Sequence, residues 1–199
     1  MIMMILIDNG HGSNTPGKCS PDGKFREWAY TREIAERVVN NLKRLGYDAE
    51  RLVTEDTDVS LAERCKRVND KCKQYGAGNV LLVSIHNNAA DADGQWHDAR
   101  GWSAYVYTKA GVRSKQLAKC LNDEAQRHHL RGNRWIPTCG YLTANYYILR
   151  KTACAAVLTE NLFQDNRTDV AFLESDEGKQ AITDVHVDGI INLCKGLNR

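Results

Sequence analysis

Three apolar runs in this sequence end in a residue able to bind a metal or move a proton. ILIDNGHG (5–12) leads through Asp8 to His11, which sits between two glycines. VLLVSIH (80–86) ends in His86, and AAVLTEN (155–161) carries Glu160 near its end. Each is ordinary alone: a turn histidine, a strand-end histidine, a solvated glutamate. Ligands of open α/β sheets bind at the carboxyl ends of the strands. Three such residues at the same edge of one sheet point to a shared site.

Helical geometry supplies a fourth candidate. On the segment beginning near Phe25, Thr31, Ile34, Val38, Leu42 and Leu45 form an apolar stripe at roughly 100° per residue. Glu27 lies in the middle of that stripe. A first-turn glutamate can simply reach solvent and favour the helix dipole. Aimed inward, its charge is costly unless something positive meets it, and a metal ion would supply that charge. His11, Glu27 and His86 then make a catalytic zinc set, with three protein ligands and a fourth position open. A structural zinc site would close with four ligands rich in cysteine, and no cysteine here has suitable spacing. Glu160 remains unligated, as a general base for an activated water.

The elements that must position these residues alternate along the chain. Strands are expected at 3–8, 47–53, 80–86, 101–108 and 155–161. Helices are expected at 27–45, 60–75, 111–129 and 175–195. Ser60 reads as an N-cap, with Glu63 completing a capping box. The continuous apolar run at 80–86 suits a strand buried on both faces, as in a parallel sheet. Alternation of this kind predicts a single α/β domain over 1–199, with helices on both faces of a sheet. Loops are expected at 12–24, 87–100 and 130–147, where their Gly, Asn and Asp content is high. No repeat, low-complexity linker or composition shift divides the chain.

The bulk properties narrow the class. The chain of 199 residues suits one domain, and a net charge of +2 is far from that of a nucleic-acid binder. MIMMILID has no basic flank and reaches Asp8 too soon for a signal peptide or a membrane span. The expectation is synthesis in the cytoplasm, no membrane insertion and a monomer. Cys19, Cys65, Cys72, Cys120, Cys139, Cys154 and Cys194 contain no CxxC pair. Most read as small core residues in a reducing compartment.

At the four candidate positions the sequence resembles the zinc-dependent N-acetylmuramoyl-L-alanine amidases of the Amidase_3 type. The resemblance rests on IDNGHG (7–12), Glu27 opening its helix, SIHNNA (84–89), YYILRKTACAAVLTENLF (146–163) and the tail FLESDEGKQAITDVHVDGI (172–190). It runs over essentially the whole chain. It implies a mixed, mostly parallel sheet between helices, a Zn2+ cofactor held by His11, Glu27 and His86, and Glu160 as catalytic acid/base. Asn88 matches a second position of the SIHxN motif and is expected to support the site. The substrate implied is peptidoglycan or a muropeptide, cut between N-acetylmuramic acid and L-alanine. The sequence departs from the pattern at Asn9, where the family more often has Pro, and in the polar loop DADGQWHDARG (91–101). It shows no inserted autoinhibitory segment, no wall-binding repeat and no export signal. Delivery to the wall by a holin-type or other route outside the chain is therefore expected.

Two rival readings stand beside this one: a zinc peptidase acting on another amide, and a non-catalytic wall-binding module. The second predicts a lost ligand or base, yet all four positions are present. Arg134 and Arg150 are candidate contacts for substrate carboxylates. Trp96 and Trp135 could stack on sugar or peptide, whereas Trp102 opens a strand and reads as core. His97 reads as a solvent-exposed loop residue, His128 and His129 as a basic helix end, and His186 as a surface or packing residue.

Overall fold

The longest apolar runs become the innermost strands. In this computed structural model, which describes residues 3–197, β1 (Met4–Asn9), β2 (Asp48–Arg51), β3 (Val80–Asn88), β4 (Ser103–Tyr107), β5 (Leu142–Ala144) and β6 (Ala155–Phe163) form one sheet. The strand order is β2-β1-β3-β6-β4-β5. All pairs are parallel except β4 with β6, so the sheet is mixed and mostly parallel, as expected. The helices are α1 (Glu27–Arg44), α2 (Leu61–Tyr75), α3 (Val112–Arg127), α4 (Tyr147–Lys151), α5 (Arg167–Glu174) and α6 (Asp176–Leu197).

Alternation along the strands divides the core. Ile5, Ile7, Leu81, Val83 and Ile85 face a layer holding Ile34 and Val38 of α1, Leu117 and Leu121 of α3, and Ile182 and Val185 of α6. Met4, Leu6, Val80 and Leu82 face the opposite layer, with Val68 of α2 and Ile148 of α4. Each side chain removed from water this way contributes about 1.5–3 kcal/mol. Strands covered on both faces need apolar residues at every position, which is why β1 and β3 read as unbroken runs.

The structure corrects several expectations. Leu45 is 55% exposed, because it caps α1 and the chain turns away at Gly46. The Ser60 hydroxyl does accept the Glu63 N–H, but the Glu63 carboxylate pairs with Arg67 instead of closing a capping box. The stretch 130–147 is not all loop, since it contains β5 and the start of α4. Only Cys65, Cys72 and Cys194 are buried; Cys139 is exposed and the others are half-buried, all seven as free thiols.

Of the two readings of His186, surface or packing, the structure shows packing, for the side chain is fully buried. Its Nδ1 donates to the Ile182 carbonyl at 2.7 Å, so its Nε2 accepts from the Thr159 hydroxyl at 2.9 Å. Burial pushes this imidazole down to about 4, against an ordinary value of 6.5. The unfolded chain takes up a proton near pH 6.5, while the folded one resists until about 4. Stability therefore falls as pH drops through that window and is insensitive to this group above it. Urea denaturation should show the lead of the wild type over His186→Gln shrinking by about 3 kcal/mol between pH 7 and pH 4. A pH-independent lead would refute a neutral imidazole at this position.

Candidate metal centre

The first loop is built to bring His11 over the sheet edge. A Cβ on Gly10 would run into the His86 imidazole, and one on Gly12 into the backbone of Thr57 and Asp58, so both positions need glycine. His11 itself has φ 61°, a left-handed conformation that costs a non-glycine residue of order 1 kcal/mol. What offsets it is hydrogen bonding of every carbonyl in the turn. Arg64 Nη1 donates to Asn9 O at 2.6 Å, Thr31 Oγ1 to Gly10 O at 3.1 Å, and Arg32 Nη2 and Arg64 Nη2 to His11 O at 3.0 and 3.1 Å. Arg64 is 2% exposed, and its Nη1 also meets Asp8 Oδ1 at 2.6 Å. The other Asp8 oxygen accepts from Ser84 at 2.5 Å.

Glu27, at the first turn of α1, is 1% exposed. Its Oε1 lies 3.3 Å from His11 Nε2 and 3.2 Å from His86 Nδ1, and it accepts the Asn87 N–H at 3.0 Å. Its Oε2 is buried with no partner. Burial would raise this carboxyl, but the two imidazoles outweigh it and hold it down to about 2. One donor atom from each of His11, Glu27 and His86 falls within 4.8 Å of the others. Ligands about 2.0–2.1 Å from a tetrahedral zinc are roughly 3.3 Å apart, which matches the two contacts to Glu27. Two imidazole nitrogens, one buried carboxylate and an orphaned carboxylate oxygen therefore fit a metal of the zinc type.

Glu160 stands opposite His86 in the β3–β6 register. Its Oε2 is buried without a partner. Desolvation pushes its carboxyl up to about 7, with His86 opposing and Glu27 adding to the rise. A carboxyl near neutrality can both take and return a proton. Just beyond it, the pairing register shifts between His86 and Asn88, and Leu162 adopts φ 63°. Such a bulge re-aims the strand end next to a site. The Asn161 side chain locks it, donating to His86 O at 3.0 Å and accepting from Trp102 Nε1 at 2.8 Å.

His11, Glu27, His86 and Glu160 all line one cleft of about 480 Å³, so the structure brings the four predicted residues together. Asn88 also lines it, with its side-chain oxygen turned back onto the Ala89 N–H. Arg134 lies beyond the lining, with its guanidinium 5.3 Å over the Phe163 ring. Arg150 is exposed and sits over Tyr147, not in the cleft. Trp102 is core, Trp96 is half-buried beneath Arg167, and Trp135 is 75% exposed. His97 pairs with Asp93, and His128 and His129 end α3. Sequence reasoning missed Arg64, Lys18, Gln164, Tyr146 and Tyr147, which line the cleft as well. Arg64 was findable: it precedes Val68 and Cys72 at helical spacing on the apolar stripe of α2, as Glu27 does on α1.

Residues 5–192 match the profile of the Amidase_3 family, described as N-acetylmuramoyl-L-alanine amidase. The chain belongs to that family. This Amidase_3 chain is 28% identical over 200 residues to the endolysin of Bacillus phage SPP1, covering 97% of this chain and 66% of the phage protein. It is 29% identical over 199 residues to the N-acetylmuramoyl-L-alanine amidase CwlM of Bacillus licheniformis, covering 98% of this chain and 71% of that one. The chain thus spans about two thirds of these relatives' length. Its fold matches the N-acetylmuramoyl-L-alanine amidase of Clostridium difficile 630 with a TM-score of 0.81 at 24% identity, covering 98% of this chain and 97% of that one. It also matches Ami1 of Mycobacterium smegmatis with a TM-score of 0.81 at 20% identity, again over 98% and 97%.

The dependence of the turn on Arg64 can be measured. Arg64→Met leaves Asp8 as a buried, half-satisfied charge, which should cost roughly 3–5 kcal/mol in denaturant unfolding. A cost below 1 kcal/mol would mean that Asp8 and the turn are held by something else.

Proposed function

We propose that this chain, as one catalytic domain over 1–199, hydrolyses the amide between the lactyl group of N-acetylmuramic acid and L-alanine in peptidoglycan. His11, Glu27 and His86 would hold zinc, and Glu160 would be the acid/base. The observation that carries the reading is the Glu27 carboxylate, buried between two imidazoles with one oxygen unpartnered, in the same cleft as Glu160, whose carboxyl is raised to about 7. Family membership supplies the substrate class. A wall-binding module would have no use for a buried carboxyl tuned to carry protons.

Zinc at this centre would supply Lewis acidity, polarising the scissile carbonyl and acidifying water. The rest belongs to the chain. Glu160 takes a proton on its carboxylate as water attacks the amide carbon, and delivers it to the departing alanine nitrogen. Glu27 stays ionised throughout, because the imidazoles hold it so. Tyr146, Tyr147, Ile148 and Leu158 line an apolar part of the cleft. Away from the cleft, the large exposed apolar residues Leu45, Val112 and Trp135 lie on separate segments, which suits a monomer. No helix among the described residues is long and apolar enough to cross a membrane. The phage endolysin relative supports synthesis in the cytoplasm followed by holin-type or other delivery to the wall.

Dye release from purified peptidoglycan, with and without a chelator, tests the reading when followed by mass spectrometry of the products. Chelator-sensitive release of stem peptides beginning at L-alanine, with glycan strands intact, is expected. Cleavage within the peptide or the glycan would sink the assignment. Glu160→Gln should keep the metal and lose about 10²–10⁴-fold in turnover, whereas His86→Ala should lose metal and turnover together. Near-normal turnover in Glu160→Gln would remove the assigned role.

A further inference from the structure

Two side-chain acceptors on the wall of the cleft have no protein donor. Gln164 is 2% exposed and Asn87 is 5% exposed, yet Gln164 Oε1 and Asn87 Oδ1 are both buried and unpaired. The Asn87 amide is held by its own nitrogen, and the Gln164 backbone is pinned at the end of β6. The Asn87 Nδ2 donates to Asn161 O at 2.5 Å, and the Gln164 backbone N–H donates to Asn88 O at 2.8 Å. A buried acceptor left without a donor costs of order 1–3 kcal/mol, and natural structures hold few of them. A pair at one cleft suits a ligand that brings N–H groups.

Two cations border the cleft without an ion pair among the described residues, Lys18 in its lining and Arg134 just outside it. Lys18 lines the cleft from the loop before α1, and among the described residues it makes no ion pair or side-chain hydrogen bond. Arg134 is stacked over Phe163, the residue before Gln164, and its buried Nε has no acceptor. Both charges bear on Glu160 without touching it. Most of the other cations near the site are already committed: Arg64 to Asp8 and Asp58, and Arg32 to backbone carbonyls. Unpaired acceptors and unpaired cations side by side describe the complement of an anionic peptide.

We infer that Gln164, Lys18 and Arg134 form a subsite for an acidic peptide segment beside the scissile amide, with Gln164 accepting a peptide N–H and the two cations taking a carboxylate. This rests on the amidase reading above. In a peptidoglycan stem the residue after L-alanine is a γ-linked glutamyl residue, whose α-carboxylate is either free or amidated. The subsite selects the free carboxylate. Gln164 binds either form, because both carry the N–H. These are binding residues, and the proton chemistry stays with Glu160.

The test uses N-acetylmuramoyl-L-Ala-γ-D-Glu-L-Lys amide with the glutamyl α-carboxylate either free or converted to the carboxamide. Turnover is measured on the wild-type protein and calorimetric binding on Glu160→Gln. The free carboxylate should be favoured by roughly tenfold in both kcat/KM and Kd, the weight of one charge-assisted hydrogen bond. Lys18→Met and Arg134→Met should each shrink that ratio. Gln164→Leu should raise KM for both ligands while preserving the ratio, and Lys43→Met, on the exposed end of α1, should do neither. Equal affinity for the two ligands, or a ratio that survives in both cation variants, overturns the subsite. If the cations merely tuned Glu160, their variants would alter turnover of both ligands alike and leave binding to Glu160→Gln unchanged, which also overturns it. Discriminating binding without any turnover in the wild type would leave the subsite standing and remove the amidase reading instead.

Discussion

A carboxylate with 1% exposure, one oxygen shared between two imidazoles and the other with no partner, sets the terms for this molecule. An ionised group in that position is tolerable only with positive charge close at hand. Two histidines must therefore come from elsewhere in the chain, and they come from the ends of β1 and β3. The parallel pairing of those strands places Asn9 beside Ile85, so the residues following both emerge at the same edge. Helix α1 then needs only to start at Glu27, packed on Ile5, Ile7 and Val83 through Ile34 and Val38.

Holding the first histidine takes more than a strand. The turn after β1 is strained at His11, and Arg64 and Arg32 reach it from two different helices to saturate its carbonyls. Arg64 is itself compensated by Asp8, the penultimate residue of β1. Buried ionic groups are a poor source of net stability, and their usual value is in fixing one arrangement over others. Here the arrangement fixed is the height and direction of one imidazole. The bulge after Glu160, with Asn161 bonded to His86 O and Trp102, does the same for the opposite wall.

Much of this was legible in the sequence because burial leaves a period. The unbroken run at 80–86 announced a strand covered on both faces, the apolar runs at 3–8 and 155–161 announced two more strands, and the stripe on α1 pointed Glu27 inward. What failed did so where local pattern is weak. β5 has three residues and α4 five, too short for either period to show. Leu45 continued the stripe by spacing but lies past the last turn of its helix. Lys18 and Gln164 sit in a loop and at a strand end, where position depends on pairing between distant segments, and no spacing in the chain encodes it. Arg64 belongs to a different case, since an arginine on an amphipathic helix reads as surface unless its place on the stripe is weighed.

The sheet splits its duties between two halves. The candidate metal donors and the arginines that hold their turn come from β1, β3, α1 and α2, a parallel block, with Glu160 on β6 beside it. The cation Arg134 and the aromatic residues Trp135 and Tyr146 come from the segment around β5, on the far side of the antiparallel junction at β4. Drift in the segment around β5 can thus alter Arg134 and Tyr146 while the strands that carry His11, His86 and Glu160 stay as they are. A lineage built on this plan is free to follow changes in wall composition by editing one segment near the sheet edge, while its chemistry stays frozen in the centre.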